Sequence, residues 1–258
     1  MSPGRRVPLL GPSDPSPFTV INERGASSVL LIGDHAGNAI PSSLGDLGVS
    51  AEDRNRHIAW DVGVQALGEE LAALLDATFI AQRFSRLVID CNRDPRSPRA
   101  ILDVSDETAV PGNTGLDEEA RDERRTAIHE PYQRRIGDEL AGRRARGLQP
   151  VVVALHSFTP VLGTQHRPWQ LGVLHDAGDT RLSHAMLRRL RLDDSLTVGD
   201  NEPYRMDGTD YTIPRHAYPD GIPYLEIEFR QDLLSSGLER SGWAARFAGW
   251  LKDAIATA

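Results

Sequence analysis

Four short segments place His, Asp or Glu at the end of an apolar run: Leu30–Asn38 (LLIGDHAGN), His57–Asp61 (HIAWD), Val151–Phe158 (VVVALHSF) and Pro223–Leu234 (PYLEIEFRQDLL). In an open α/β sheet, ligand sites are built at the strand ends. Two imidazoles, one carboxylate and a separate glutamate are the parts of a zinc hydrolase centre. Three of them hold the ion, a fourth position is left for water, and the glutamate handles the proton of that water. His35 directly follows LLIGD and sits between Gly33 and Gly37, where absent side chains permit close backbone approach. Asp61 stands where a helix begins, so it is either a ligand or a helix cap. His156 ends the run PVVVALH. His57 lies four residues before Asp61 and is a rival for the middle ligand.

Glu226 and Glu228 are two apart in an apolar run, so in a strand both point to one face. Burying them is costly unless they are paired or face a cation. A glutamate with its pKa raised by burial beside an activated water is a general base, and both residues are candidates. The opposing reading is a buried ion pair with an arginine such as Arg230. Arg86, Arg93, Arg96 and Arg99 cluster in SRLVIDCNRDPRSPR. A guanidinium grips carboxylate through a two-pronged fork, so the cluster suits an anionic acyl-amino-acid substrate. Arg86 and Arg93 are the candidates there, with Asn92 as an amide donor or acceptor; Arg96 and Arg99 read as ordinary loop charges. Ser157, Arg215 and Arg230 complete the expected substrate contacts. His216, in the turn-rich run DGTDYTIPRHAYPDG, is a candidate for stabilising a tetrahedral oxyanion.

These residues need a scaffold, and the chain alternates strand-like and helix-like patterns. Strands are expected over 28–33, 78–82, 86–90, 150–156, 171–175 and 223–229. Helices are expected over 62–76, 180–192 and 237–256. A long charged amphipathic stretch spans 117–147, with a break expected near Pro131. The pattern predicts a single-domain, three-layer α/β/α fold with a mostly parallel or mixed central sheet. Residues 90–115, rich in Asp, Arg, Pro, Ser and Gly, read as a functional loop. Residues 1–18 read as a loosely held arm and 19–258 as the catalytic domain. The chain of 258 residues is 40% hydrophobic and 26% charged, ordinary for a globular domain. Its formal net charge of −8 argues against a general nucleic-acid or anionic-membrane binder. No apolar run approaches the roughly 20 residues of a membrane span. The lone Cys91 excludes an internal disulfide and a cysteine-rich metal site, and a cytoplasmic setting is expected.

In this order, GDHAGNAIP, HIAWDVG, SRLVIDCNR, AVPGN, PVVVALHSF and IEFRQDLL resemble the N-formylglutamate amidohydrolase family, from about Val29 to Leu234. The resemblance implies a phosphorylase/hydrolase-like α/β fold and one zinc ion per chain. It implies cleavage of N-formyl-L-glutamate to formate and L-glutamate, in histidine degradation. On it, His35, Asp61 and His156 are the metal ligands and Glu228 is the base. The layout is also similar to zinc-dependent N-acetylmuramoyl-L-alanine amidases. The chain departs from these patterns in having Asp61 where those amidases have Glu, and Pro131-Tyr132-Gln133 where many family members have Pro-Tyr-His. Two other readings compete: a zinc amidase or carboxypeptidase-like hydrolase of different substrate, and a non-catalytic small-acid binding protein on the same fold. The intact set of His35, Asp61, His156 and Glu228 weighs against the last.

Overall fold

In the computed structural model, which describes residues 8–258, the buried apolar runs join into one seven-stranded sheet. Its strands are β1 Phe18–Ile21, β2 Val29–Gly33, β3 Thr78–Gln82, β4 Val151–Phe158, β5 Leu171–Leu174, β6 Val198–Asp200 and β7 Tyr224–Arg230. They lie in the order β1-β3-β2-β4-β7-β5-β6. β3, β2, β4 and β7 are parallel neighbours. β1 runs antiparallel to β3, and β5 antiparallel to β7. Every residue of β2, β3, β4 and β5 is buried, as continuous apolar strands must be when both faces are covered.

One face of the sheet packs against helices α1 Val64–Leu75, α4 Arg181–Leu190 and α6 Gly237–Thr257. Leu31, Phe79, Val153, Leu225 and Phe229 meet Leu67, Leu71, Leu187, Phe247 and Leu251 there. α6 starts with a reciprocal cap: Ser236 Oγ accepts from the Glu239 N–H and donates to the Glu239 carboxylate. The opposite face carries a long interrupted helix, the short helix α5 Thr212–His216 and several loops. The long helix comprises α2 Glu118–Arg124, a five-residue π turn Arg125–His129, and α3 Glu130–Ala145. Pro131 lacks an N–H, and the widened turn falls just before it, so the expected break appears as a π turn within one continuous rod.

The expected strand over 86–90 is not a strand. Residues 87–90 are buried, but Val88 N–H closes a turn onto Ser85 O and Asp90 N–H reaches Ala100 O. A short apolar run signals burial, and here burial comes as an irregular loop. The 90–115 segment contains a small hairpin, Val104–Ser105 with Thr108–Ala109. A second small hairpin pairs Val161–Leu162 with Gln165–His166. Of the expected arm, residues 1–7 lie outside the described residues. Beyond them, Leu9 is buried and its N–H donates to Glu123 Oε1 at 2.8 Å. No helix among the described residues is long and apolar enough to cross a membrane.

Candidate metal centre and active-site cleft

The parallel strands β2, β4 and β7 deliver their C-terminal ends to one side of the sheet, as open α/β sheets do at ligand sites. His35 lies just beyond the end of β2, and Gly37 makes that position possible: a Cβ there would stand 2.1 Å from Arg83 O. The Asp61 N–H donates to His35 O at 2.8 Å, which draws the segment ahead of α1 against the end of β2. Helix α1 is preceded by Gly63 at φ +87°, and Asp61 does not cap it. The Asp61 carboxylate instead faces inward. His156 on β4 stands directly opposite Glu228 on β7, with Glu226 opposite Ala154. Glu226, Glu228 and His156 therefore share a face.

The two histidines and Asp61 converge. Asp61 Oδ2 is 2.9 Å from His156 Nδ1 and 3.5 Å from His35 Nδ1. One donor atom from each residue lies within 4.8 Å of the others, and all three residues are buried. Each imidazole has a further carboxylate at its far nitrogen. His35 Nε2 is 2.7 Å from Asp90 Oδ1, and His156 Nε2 is 3.6 Å from Asp34 Oδ2. At His35 this carboxylate holds the proton on Nε2 and turns the Nδ1 lone pair inward, the usual outer arrangement of a metal-bound histidine, whereas the 3.6 Å approach at His156 is a charge contact rather than a hydrogen bond. His35 Nδ1, Asp34 Oδ2, Glu226 Oε2 and Glu228 Oε2 are buried and have no hydrogen-bond partner. Such orphaned groups are rare in folded proteins and call for an explanation.

The electrostatics agree. Burial opposes charge on His156, yet Asp34 and Asp61 raise its pKa well above the ordinary value. For His35, burial and Arg86 oppose the charged form, but Asp90 and Asp61 prevail and raise the pKa. Burial also works against Asp61, but His35 and His156 hold its carboxyl well below the usual range. The cluster thus draws positive charge to the place where a divalent cation would sit, and two imidazoles with one carboxylate suit zinc. Burial raises Glu226 to about 8 and Glu228 to about 7; His156 opposes both shifts, while Asp210 adds to the first and Asp61 to the second.

These groups border a cavity of about 480 Å³ whose lining includes His35, Asp61, His156, Glu226 and Glu228. The family model for N-formylglutamate amidohydrolase matches residues 27–235, most of the chain. The chain belongs to the N-formylglutamate amidohydrolase family. A gene product of Agrobacterium tumefaciens of known structure is 39% identical, with 96% of this chain and 98% of that chain covered and a TM-score of 0.93. The N-formylglutamate amidohydrolase of Ralstonia eutropha JMP134 is 22% identical, covers 92% of this chain and 98% of that one, and has a TM-score of 0.62, so it shares the fold. No curated protein matches the chain.

Within this member of the N-formylglutamate amidohydrolase family, the other residues singled out from sequence divide into two groups. Arg86, Asn92, Arg93 and Ser157 line the cavity. Arg86 is bound to Asp90 at 2.7 Å and lies 3.7 Å from Asp61. Arg93 is bound to Thr209 and to Asp210 at 3.1 Å. Asn92 is occupied: its Oδ1 accepts from Tyr211 N and Thr212 N, and its Nδ2 donates to Asp210. It therefore fixes the 209–212 loop rather than offering an amide to substrate. Ser157 Oγ donates to Val62 O, and its N–H donates to Asp61 Oδ2.

Arg215, His216 and Arg230 lie outside the cavity lining. The His216 ring faces α3, where its Nε2 is 2.7 Å from Gln133 Oε1. Burial, helped by Arg215, lowers its pKa to about 4, which suits a neutral bonded ring rather than an oxyanion donor. Arg215 is exposed and stacks over Tyr211. Arg230 is held by Asp232 and the Pro168 carbonyl. His57 lines the cavity, but its Nε2 faces Asp106 at 3.3 Å and it does not join the three-donor cluster. The sequence reading did not single out Asp34, Asp90, Tyr204 and Arg167. Asp34 and Asp90 each end an apolar run, a usable signal. Tyr204 and Arg167 come from irregular segments and carry none.

Proposed function

We propose that this protein is a zinc-dependent amidohydrolase that removes the N-formyl, or a related N-acyl, group from an acidic amino acid. The favoured substrate is N-formyl-L-glutamate, giving formate and L-glutamate. The observation that carries this reading is the convergence of His35 Nδ1, Asp61 Oδ2 and His156 Nδ1 beneath two buried glutamates in a chain of this family. Zinc, when bound by His35, Asp61 and His156, lowers the pKa of a water and polarises the substrate carbonyl.

The chain's own groups do the rest. Glu228 takes the proton of the attacking water, because it lies directly across from His156 and is poised by burial near neutrality. As the C–N bond of the tetrahedral species breaks, Glu228 returns that proton to the departing nitrogen. Asp90 holds the His35 imidazole in orientation, and Asp34 sets a negative charge beside His156. Glu226 lies one pleat further along β7, near His156 and Asp210, and shapes the field around the leaving group. The reading brings with it a role in histidine degradation and a cytoplasmic setting.

Free amino acid release from N-formyl-L-glutamate, N-acetyl-L-glutamate and N-formyl-L-alanine by the zinc-supplemented protein, with formate as co-product of the first and third and acetate of the second, tests it. Preferential release from the first supports the proposal. Hydrolysis of none of the three, with zinc bound, would refute it.

A further inference from the structure

The described residues include three arginines that are nearly or fully buried, and two of them are thoroughly satisfied. Arg124 donates to Val88 O, Asn113 Oδ1 and Gly112 O. Arg143 pairs with Glu139 and donates to Ser27 O and Thr78 Oγ1. Arg167 is different. It is 6% exposed, and its guanidinium makes one hydrogen bond, from Nη1 to Tyr204 Oη at 2.9 Å. Its Cζ lies 4.7 Å from the centre of the same Tyr204 ring. It forms no ion pair among the described residues. Its remaining nitrogens are not among the buried polar atoms without a partner, so they keep contact with solvent; no carboxylate neutralises the charge, which therefore acts on Tyr204.

The surroundings indicate the use of that charge. Tyr204 lines the same cavity as His35, His156 and Glu228; Arg167 is not among the lining residues and bears on the cavity through Tyr204. The cations that the sequence offers for substrate, Arg86 and Arg93, are already matched to Asp90 and Asp210. Because Tyr204 Oη accepts from Arg167, its own O–H proton is free to donate elsewhere. The charge of Arg167 also reaches the cavity wall: burial lowers the pKa of His57, and Arg167 adds to that effect. Its position is fixed by its backbone, since Arg167 N–H donates to Pro160 O at 2.9 Å just after the 161–166 hairpin.

We propose that the Tyr204 hydroxyl, held and polarised by the Arg167 guanidinium, anchors a carboxylate of the substrate. The proposal rests on the acyl-amino-acid reading above and assigns its anion recognition to residues outside the Arg86–Arg93 cluster. A carboxylate there accepts the Tyr204 O–H, and the Arg167 charge on the phenol oxygen strengthens that bond. The anchored group is either the α-carboxylate or the side-chain carboxylate, and substrates with one or the other amidated tell them apart.

The experiment is calorimetric titration of glutarate into the zinc-loaded wild type, Arg167→Gln, Arg167→Lys and Tyr204→Phe. It is accompanied by kinetics on N-formyl-L-glutamate, N-formyl-L-glutamine and the α-amide of N-formyl-L-glutamate. Arg167→Gln is expected to weaken glutarate binding on the order of 10- to 100-fold. It should raise KM for N-formyl-L-glutamate by a similar factor with little change in kcat. It should leave unchanged the KM of whichever amide lacks the anchored carboxylate. Arg167→Lys, which keeps the charge, should recover part of the loss, and Tyr204→Phe should lose several-fold. If Arg167→Gln does not fold, Arg167→Lys and Tyr204→Phe carry the test. Glutarate binding within threefold of wild type in the folded variants would overturn the proposal, as would an equal KM rise for all three substrates. A wild type that binds glutarate but releases no formate would instead overturn the hydrolase reading and leave the anchor standing.

Discussion

Replacing Asp90 with Asn probes the metal centre without touching a ligand. Asp90 is buried, and its two oxygens face different partners. Oδ1 is 2.7 Å from His35 Nε2 and also accepts the Asn92 N–H at 2.9 Å; Oδ2 accepts from Arg86 at 2.7 Å. An asparagine can satisfy only one side. If its oxygen stays on His35, its NH2 meets the Arg86 guanidinium, donor against donor. If its NH2 turns to His35, the ring must carry its proton on Nδ1, which closes the lone pair meant for the ion. In the first pose Arg86 loses its partner and is drawn toward Asp61 Oδ1, now 3.7 Å away, where it competes with the cation; in the second Arg86 keeps an acceptor, but the Asn92 N–H loses its own. Loss of such an outer carboxylate weakens metal binding by about 10- to 100-fold, or about 1.4–2.7 kcal/mol. Competition titration of zinc against a chromophoric chelator measures it. Asp34→Asn should cost less, because Asp34 stands 3.6 Å from His156 Nε2 and is also held by Thr212. Zinc affinity within threefold of wild type in Asp90→Asn would refute the reasoning.

Glu228→Gln should lower kcat by about 10²- to 10⁴-fold, the range for loss of a general base, while zinc still binds; near-normal turnover would move the role to Glu226. His216 supplies a pH dependence: its folded pKa of about 4 lies below the ordinary 6.5, so the unfolded chain binds more protons between those values. Stability therefore falls as pH drops, by about 2 kcal/mol from this group between pH 7.5 and 5. His216→Gln should flatten that part of the denaturant-midpoint profile, and an unchanged slope would contradict it. Gly37→Ala forces a methyl to within 2.1 Å of Arg83 O and should cost about 1–3 kcal/mol in urea unfolding.

The legible parts of the fold were those with strong local signals. β2, β4 and β7 are buried apolar runs bounded by turns, and α1, α4 and α6 carry clear helical periodicity. His35 and His156 stand out because a polar residue ending such a run has few structural reasons to be there. Their meeting with Asp61 depends on strand order, which composition does not reveal. The segment 86–90 looked like a strand because its apolar content reports burial and not backbone shape. His216 and Arg215 looked available because a turn-rich sequence gives no side-chain direction; α5 aims the His216 ring at Gln133. Arg167 and Tyr204, 37 residues apart on irregular segments, meet only through tertiary packing.

The most direct measurement is elemental analysis of purified wild type and His156→Ala, with formate release from N-formyl-L-glutamate assayed on the same samples. About one zinc per chain with formate release, both lost in His156→Ala, is the predicted result. A full complement of zinc retained by His156→Ala, or wild type without zinc that still releases formate, would contradict a metal centre built on His35, Asp61 and His156.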